Sequence, residues 1–144
     1  MSSFVPGWDA LPGPLADFWT ERHLCQLATL RPDGRPHLVP VGVALDPEQG
    51  CAWVITNPGS RKARNVLAGG VDGGPALVTA GQVDGARWSS IEGTAEVRSD
   101  AASVARAVER YASRYRQPRE NPERVALRIT VERFLFGPGL LRES

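Results

Sequence analysis

The sequence predicts a mainly β protein: an antiparallel sheet of six or so strands, closed or nearly closed into a barrel, with helices at its rim. Three observations predict it. Asp33-Gly34 and Asp84-Gly85 are tight-turn dipeptides, because glycine takes the positive φ that short hairpins need. Val125, Leu127, Ile129 and Val131 alternate with Ala126, Arg128, Thr130 and Glu132, the period of a strand with one buried face. Helical spacing of apolar residues is confined to three short stretches, so helices flank the sheet. The chain has 144 residues, 42% of them hydrophobic and 23% charged, which suits one domain with a real core.

Residues 1–13 are rich in Pro and Gly and read as a flexible arm, leaving 14–144 as the single domain. Residues 15–22 form a short helix burying Leu15, Phe18 and Trp19. Strands follow at 24–30 and 37–45, joined by the Asp33-Gly34 turn. In the second of these, His37, Val39, Val41, Val43 and Leu45 make a bulky face, while Leu38, Pro40, Gly42 and Ala44 make a face that becomes small. A small face admits a ligand ring, or simply packs tightly on a helix. After a turn at 46–50 comes a buried strand at 51–56, then a helix at 61–67 capped by Ser60. Strands at 75–83 and 86–98 form a hairpin. Ser99 or Asp100 caps a helix to about 116, with Val104, Val108, Tyr111 and Tyr115 as its apolar stripe. A loop at 117–122 leads to the last strand from 125.

Charge and composition exclude several classes. With 17 basic and 16 acidic residues there is no global field for nucleic acid. No apolar run approaches a membrane span, and the N-terminus lacks a basic, then apolar, leader pattern, so a cytoplasmic protein is expected. Cys25 and Cys51 read as buried free thiols, and two histidines cannot build a His-rich metal site. Nucleophile-elbow, phosphate-loop and zinc signatures are absent, which leaves chemistry carried by a cofactor.

One segment has the makings of an anion site. At Thr56-Asn-Pro-Gly-Ser-Arg-Lys-Ala-Arg-Asn65 a strand ends, a Gly turn follows and a helix begins at Ser60. Free amides at a helix start favour an anion, and Arg61, Arg64 and Lys62, the single lysine, add charge; a plain capped surface helix is the other reading. Gln82 to Ser90 is a second candidate, where Trp88 either covers a planar ring or packs on the barrel, and Arg87 meets an anion. Arg114, Arg116, Arg119 and Arg124 gather at one helix end, which equally suits the helix dipole. His37 is a lone polar residue on an apolar face, and a satisfied core histidine is the usual outcome there.

The runs HLCQLATLRPDGRPHLVPVGVALD, WVITNPGSRKARN and GQVDGARWSSIEGTAEV resemble the split β-barrel superfamily of pyridoxamine 5'-phosphate oxidase-like flavin and deazaflavin enzymes. Within it, QVDGARW and RYASRYRQPRENPERV resemble the actinobacterial F420H2-dependent biliverdin reductases. The resemblance covers about 16–141. It implies a six-stranded antiparallel split β-barrel of the FMN-binding type, a homodimer with cofactor clefts at the subunit interface. The cofactor phosphate would lie on Thr56, Ser60, Arg61 and Lys62. The deazaflavin ring would lie along His37, Val39, Pro40 and Val41, with Gln82, Arg87 and Trp88 completing the cleft, in part from the other subunit.

The implied activity is hydride transfer from reduced coenzyme F420 to a conjugated acceptor, first of all biliverdin, giving bilirubin. No residue stands out as catalytic, so the hydride comes from the cofactor and the proton from solvent. Arg114, Arg116 and Arg119 would receive substrate carboxylates or the cofactor's glutamate tail. Two alternatives remain: an FMN- or F420-dependent reductase of another quinone or enone, and a flavin- or tetrapyrrole-binding protein without turnover. Neither a metal, a nucleic acid nor a membrane partner is expected.

Overall fold

The computed structural model describes residues 2–4 and 8–140. In chain order the elements are β1 (Ser2–Phe4), α1 (Gly13–Thr20), β2 (Cys25–Leu30), β3 (Pro36–Val41), β4 (Ala44–Asp46), β5 (Cys51–Thr56), α2 (Arg61–Ala68), β6 (Ala76–Asp84), β7 (Arg87–Arg98), α3 (Ala101–Arg114) and β8 (Val125–Phe136). Short 3-10 turns lie at Trp8–Ala10, Val71–Gly73 and Pro138–Leu140. All strand pairs are antiparallel. The sheet runs β3-β2-β6-β7-β8-β5-β4, with β1 added to β8.

The antiparallel split-barrel architecture is the expected one, but the sheet holds eight strands rather than six. One extra strand comes from dividing 37–45 into β3 and β4. The two ends of the sheet are therefore consecutive in sequence, with only Gly42 and Val43 between them. No ladder joins those ends; the bent chain spans them. Gly42 shows why the chain is small there. A Cβ at this position would meet the Tyr111 ring at 2.8 Å and the Tyr115 ring at 2.9 Å. Here the small face serves tight packing of α3 on the bend. The other extra strand, β1, pairs with the end of β8, and Trp8 sets its ring edge-on to Phe134 with centroids 5.5 Å apart.

Burial follows the pleat. Leu27, Val78, Ala80, Ile91, Leu127, Ile129 and Phe134 point inward, where α1 closes the barrel with Leu15, Phe18 and Trp19. Between Glu92 and Gly93 the β7–β8 register slips by a bulge. A Cβ at Gly93 would overlap the Thr130 carbonyl oxygen, so only glycine fits. On α3 the deepest side chains are Ala107 and Arg114; the Val104–Tyr115 stripe is half-buried. Asp46, fully buried, accepts bonds from Arg106 Nε and Nη2 at 2.8 Å and from Trp53 Nε1 at 2.9 Å. The Arg106 guanidinium is the main reason its carboxyl pKa is lowered to about 2. Cys25 and Cys51 are free and buried, as read from the sequence. Among the described residues no helix is long and apolar enough to cross a membrane.

Candidate functional site

The end of β5 and the start of α2 form a cationic notch. Thr56 Oγ1 donates to Ser60 Oγ at 3.0 Å, and Ser60 Oγ accepts the Ala63 amide at 3.2 Å, capping α2. The amides of Arg61 and Lys62, first in the helix, lie beyond the reach of intrahelical bonding. His37 stands within electrostatic reach of Arg31, Lys62 and Arg61, and burial together with those cations lowers its pKa. Its Nδ1 is buried without a hydrogen-bond partner. Burial also lowers the pKa of Lys62. Among the described residues, Arg31, Arg61, Lys62 and Arg64 pair with no carboxylate, whereas Arg87, Arg98, Arg106 and Arg133 all do. A site holding the unpaired cations Arg31, Arg61 and Lys62, a polar orphan and free amides has the chemistry of a phosphate or phosphodiester receptor. Asn121 Nδ2 donates to Asn57 Oδ1 at 2.6 Å, which ties the 117–124 loop beside this notch.

A second feature lies on the outer face of β2, β3, β6 and β7. It is a groove of about 460 Å3 with Gln26, Gly81 and Ser90 among its lining residues, and Leu24, Pro40, Val83 and Trp88 beside them. Trp88 is fixed by close contact with Gly137, where a Cβ would come within 2.5 Å of the indole Nε1. Flat apolar walls with amide and hydroxyl groups beside them suit a planar heterocycle. The surrounding face is apolar and open: Leu24 is 70% exposed, Leu38 62%, Leu77 55% and Val83 71%. This is more than scattered surface hydrophobes, since Leu38, Leu77 and Val83 lie on strands of one face and Leu24 immediately precedes β2.

The structure divides the residues expected from the sequence. Thr56, Ser60, Arg61, Lys62 and His37 share the notch. Pro40 and Trp88 share the groove. Val41 is in the core and Val39 packs against it, because side chains alternate along β3 and Pro40 alone of the run 39–41 faces outward. Gln82 lines the groove, yet its amide is engaged within the protein: Nε2 donates to the Phe18 carbonyl at 2.9 Å, and Oε1 accepts from Arg114 at 2.7 Å and Cys25 at 3.3 Å. Arg87 is held between Glu21 and Asp84 at 3.0 and 2.6 Å, over the Phe18 ring. His23 joins that cluster through Glu21 at 2.9 Å.

Arg114 departs furthest from its expected role. It is buried, and its guanidinium donates to the carbonyls of Val43 (2.6 Å), Glu21 (2.8 Å) and Phe18 (3.4 Å) as well as to Gln82. A group so engaged braces α1, β4 and α3 together and has no free fork for a substrate carboxylate. Arg116 and Arg119 are exposed, and the Arg119 carbonyl anchors Arg124 Nη2 at 2.6 Å. Sequence reasoning missed Arg31, Gln26 and Gly81. Gln26 carried a signal, a polar residue at an outward position of an otherwise apolar strand; Arg31 looked like turn chemistry alone.

Comparison with known proteins adds the following. The family model of pyridoxamine 5'-phosphate oxidase matches residues 11–136. The F420H2-dependent biliverdin reductase of Mycobacterium tuberculosis (strain CDC 1551 / Oshkosh) is 49% identical over 124 residues, covering 86% of each chain. A crystal structure of a conserved hypothetical protein from Mycobacterium tuberculosis superposes with a TM-score of 0.70 at 29% identity, covering 90% of this chain and 88% of that one. An F420 reductase structure gives 0.60 at 22% identity, covering 90% and 97%, a likeness of fold alone.

Proposed function

The chain belongs to the pyridoxamine 5'-phosphate oxidase family, and from that premise we propose that it is an F420-dependent oxidoreductase whose acceptor is biliverdin, reduced to bilirubin. The observation that carries this reading is the notch, with its three cations lacking any anion and its orphaned imidazole nitrogen. It fits the phosphodiester of a deazaflavin cofactor. The relative at 49% identity is named for this reaction.

Thr56, Ser60, Arg61 and Lys62 hold the anionic tether, with the first amides of α2 as further donors. His37 stands at the edge of that group. The ring belongs in the groove between Pro40 and Trp88, with Gln26 and Ser90 as polar partners. Notch and groove lie on different parts of one chain, so the cleft is completed by a second copy. The apolar face bearing Leu24, Leu38, Leu77 and Val83 is the surface on which the homodimer closes, which excludes water from both walls. When bound, reduced F420 supplies a hydride to the central methine of the tetrapyrrole. The protein holds two planar systems face to face and keeps the groove dry. A solvent proton completes the reduction.

Arg116 and Arg119, on the loop tied to Asn57, meet carboxylates of substrate or cofactor tail. Arg87 joins them by exchanging Glu21 or Asp84 for a ligand carboxylate. Arg114 and Gln82 act as positioning residues, fixing the groove wall through α1.

The test mixes purified protein with reduced F420 and biliverdin and follows both absorbances. Coupled loss of the two, faster than without protein, is the expected result; a rate equal to the protein-free control refutes the activity. Parallel titrations with F420 and FMN decide the cofactor, and sedimentation decides the dimer.

A further inference from the structure

Away from notch and groove, a half-open pocket of about 130 Å3 lies between α1, β4 and α3. Its walls include Leu11, Ala16, Trp19, Leu45 and Pro47, and Arg110 and Ser113 also line it. At its base Arg114, through bonds to carbonyls of α1 and to Val43, holds the two helices at a fixed separation. The space is thus preformed. An apolar cavity of roughly 150 Å3 is enough to hold benzene, so this one takes a compact ring or a short branched chain.

Arg110 supplies the second half of the argument. Its Nε donates to the Leu45 carbonyl at 3.1 Å, which anchors the guanidinium in the cavity wall. Its two remaining nitrogens make no bond to the described residues, and no described carboxylate pairs with it. Arg106, one turn earlier on α3, pairs with Asp46, Glu48 and Glu109. One arginine of the helix is neutralised and the next stands uncompensated beside an apolar hole. A guanidinium in that state selects a carboxylate, and its planar fork binds one in bidentate fashion.

We propose that this cavity is a binding site for a small apolar monocarboxylate, about the size of benzoate, with the body against Trp19 and the carboxylate on Arg110. The site is separate from the cofactor notch and stands or falls independently of the proposed reaction.

Benzoate and its neutral isostere benzamide are titrated into the purified full-length protein, followed by calorimetry and by the indole N–H resonance of Trp19. Benzoate is expected to bind about tenfold or more tightly than benzamide, a difference of about 1.4 kcal/mol. Arg110→Gln should bring benzoate down to the benzamide level, and Ala16→Leu, which fills the hole, should abolish binding of both. Equal affinity for the two ligands, no saturable binding of benzoate, or an unmoved Trp19 resonance overturns the proposal. These readouts on the unsubstituted protein decide it even where a variant unfolds.

Discussion

Two groups of basic residues, at Arg114 and at Lys62, use the same chemistry in opposite ways. Around Arg114 every long-range donor has found an acceptor: three backbone carbonyls and Gln82, with Tyr115 donating nearby to the His23 carbonyl at 2.6 Å. Around Lys62, the His37 imidazole lies within electrostatic reach of three cations, none of which pairs with a carboxylate among the described residues. The first group is complete within one chain. The second leaves a buried imidazole nitrogen unpartnered in the field of nearby cations. The lesson is that a basic cluster announces a binding site by the acceptors it lacks, not by the charge it carries.

The sharpest break of this comparison is Arg114→Leu. It removes the donor that the Val43, Glu21 and Phe18 carbonyls and the Gln82 amide oxygen share. A loss of about 3 kcal/mol is expected, because several acceptors in the interior lose a charged donor at once. Urea unfolding at neutral pH measures it. A loss below about 1 kcal/mol would mean that the guanidinium is not the brace between α1 and α3.

Next in size is the Asp46–Arg106 pair, a complete cluster with its own pH signature. The folded pKa of Asp46 is about 2, below the usual 3.8. Its stabilisation is therefore fully present above the unfolded value and is lost as pH falls through the folded one. Thermal unfolding should show this contribution unchanged from pH 7 to 5 and fading between pH 4 and 2. Asp46→Asn should cost about 2 kcal/mol at neutral pH and flatten that acid limb.

Lys62→Ala sits on the other side of the comparison. It should leave stability within about 0.5 kcal/mol and weaken F420 binding by about 1–3 kcal/mol. Fluorescence titration reads the second quantity. Raising salt should further weaken binding at this partly exposed notch while leaving the Arg114 brace almost unaffected. An unchanged affinity in the variant would place the tether elsewhere.

These contrasts also explain what the sequence made legible. Local rules carried the elements: Ser60 caps α2 as read, Asp100 is the one of the pair Ser99 and Asp100 that caps α3, and the alternation from Val125 marks β8. The capped helix start at Ser60 was legible for the same reason, since cap, turn, Arg61, Lys62 and Arg64 lie within ten residues, whereas Arg31 comes from a distant turn. Arg114 was not, because its acceptors sit 32 to 96 positions away and are mostly backbone. Chain position also hid the split between β3 and β4, which depends on two tyrosines of α3 crowding Gly42. His37 and Pro40 read as neighbours along one ligand, yet the pleat sends them to opposite faces.

The smallest expected effect tests that field directly. Burial and the cations Arg31, Lys62 and Arg61 hold the folded pKa of His37 below its ordinary 6.5. A histidine depressed in the native state binds fewer protons there than in the unfolded chain. Stability is thus lost as pH falls through the unfolded value toward the folded one. His37→Asn removes that loss, so the variant should be relatively more stable at pH 5.5 than at pH 7.5, by a fraction of a kcal/mol. With only two histidines in the chain, the His37 ring titration is readable by NMR. Saturating F420 should raise the His37 pKa, since an anion in the notch cancels the field that depressed it. If the ligand binds and the titration does not move, the anion lies outside the reach of this imidazole, and the notch is then a structural edge of α2 like any other capped helix start.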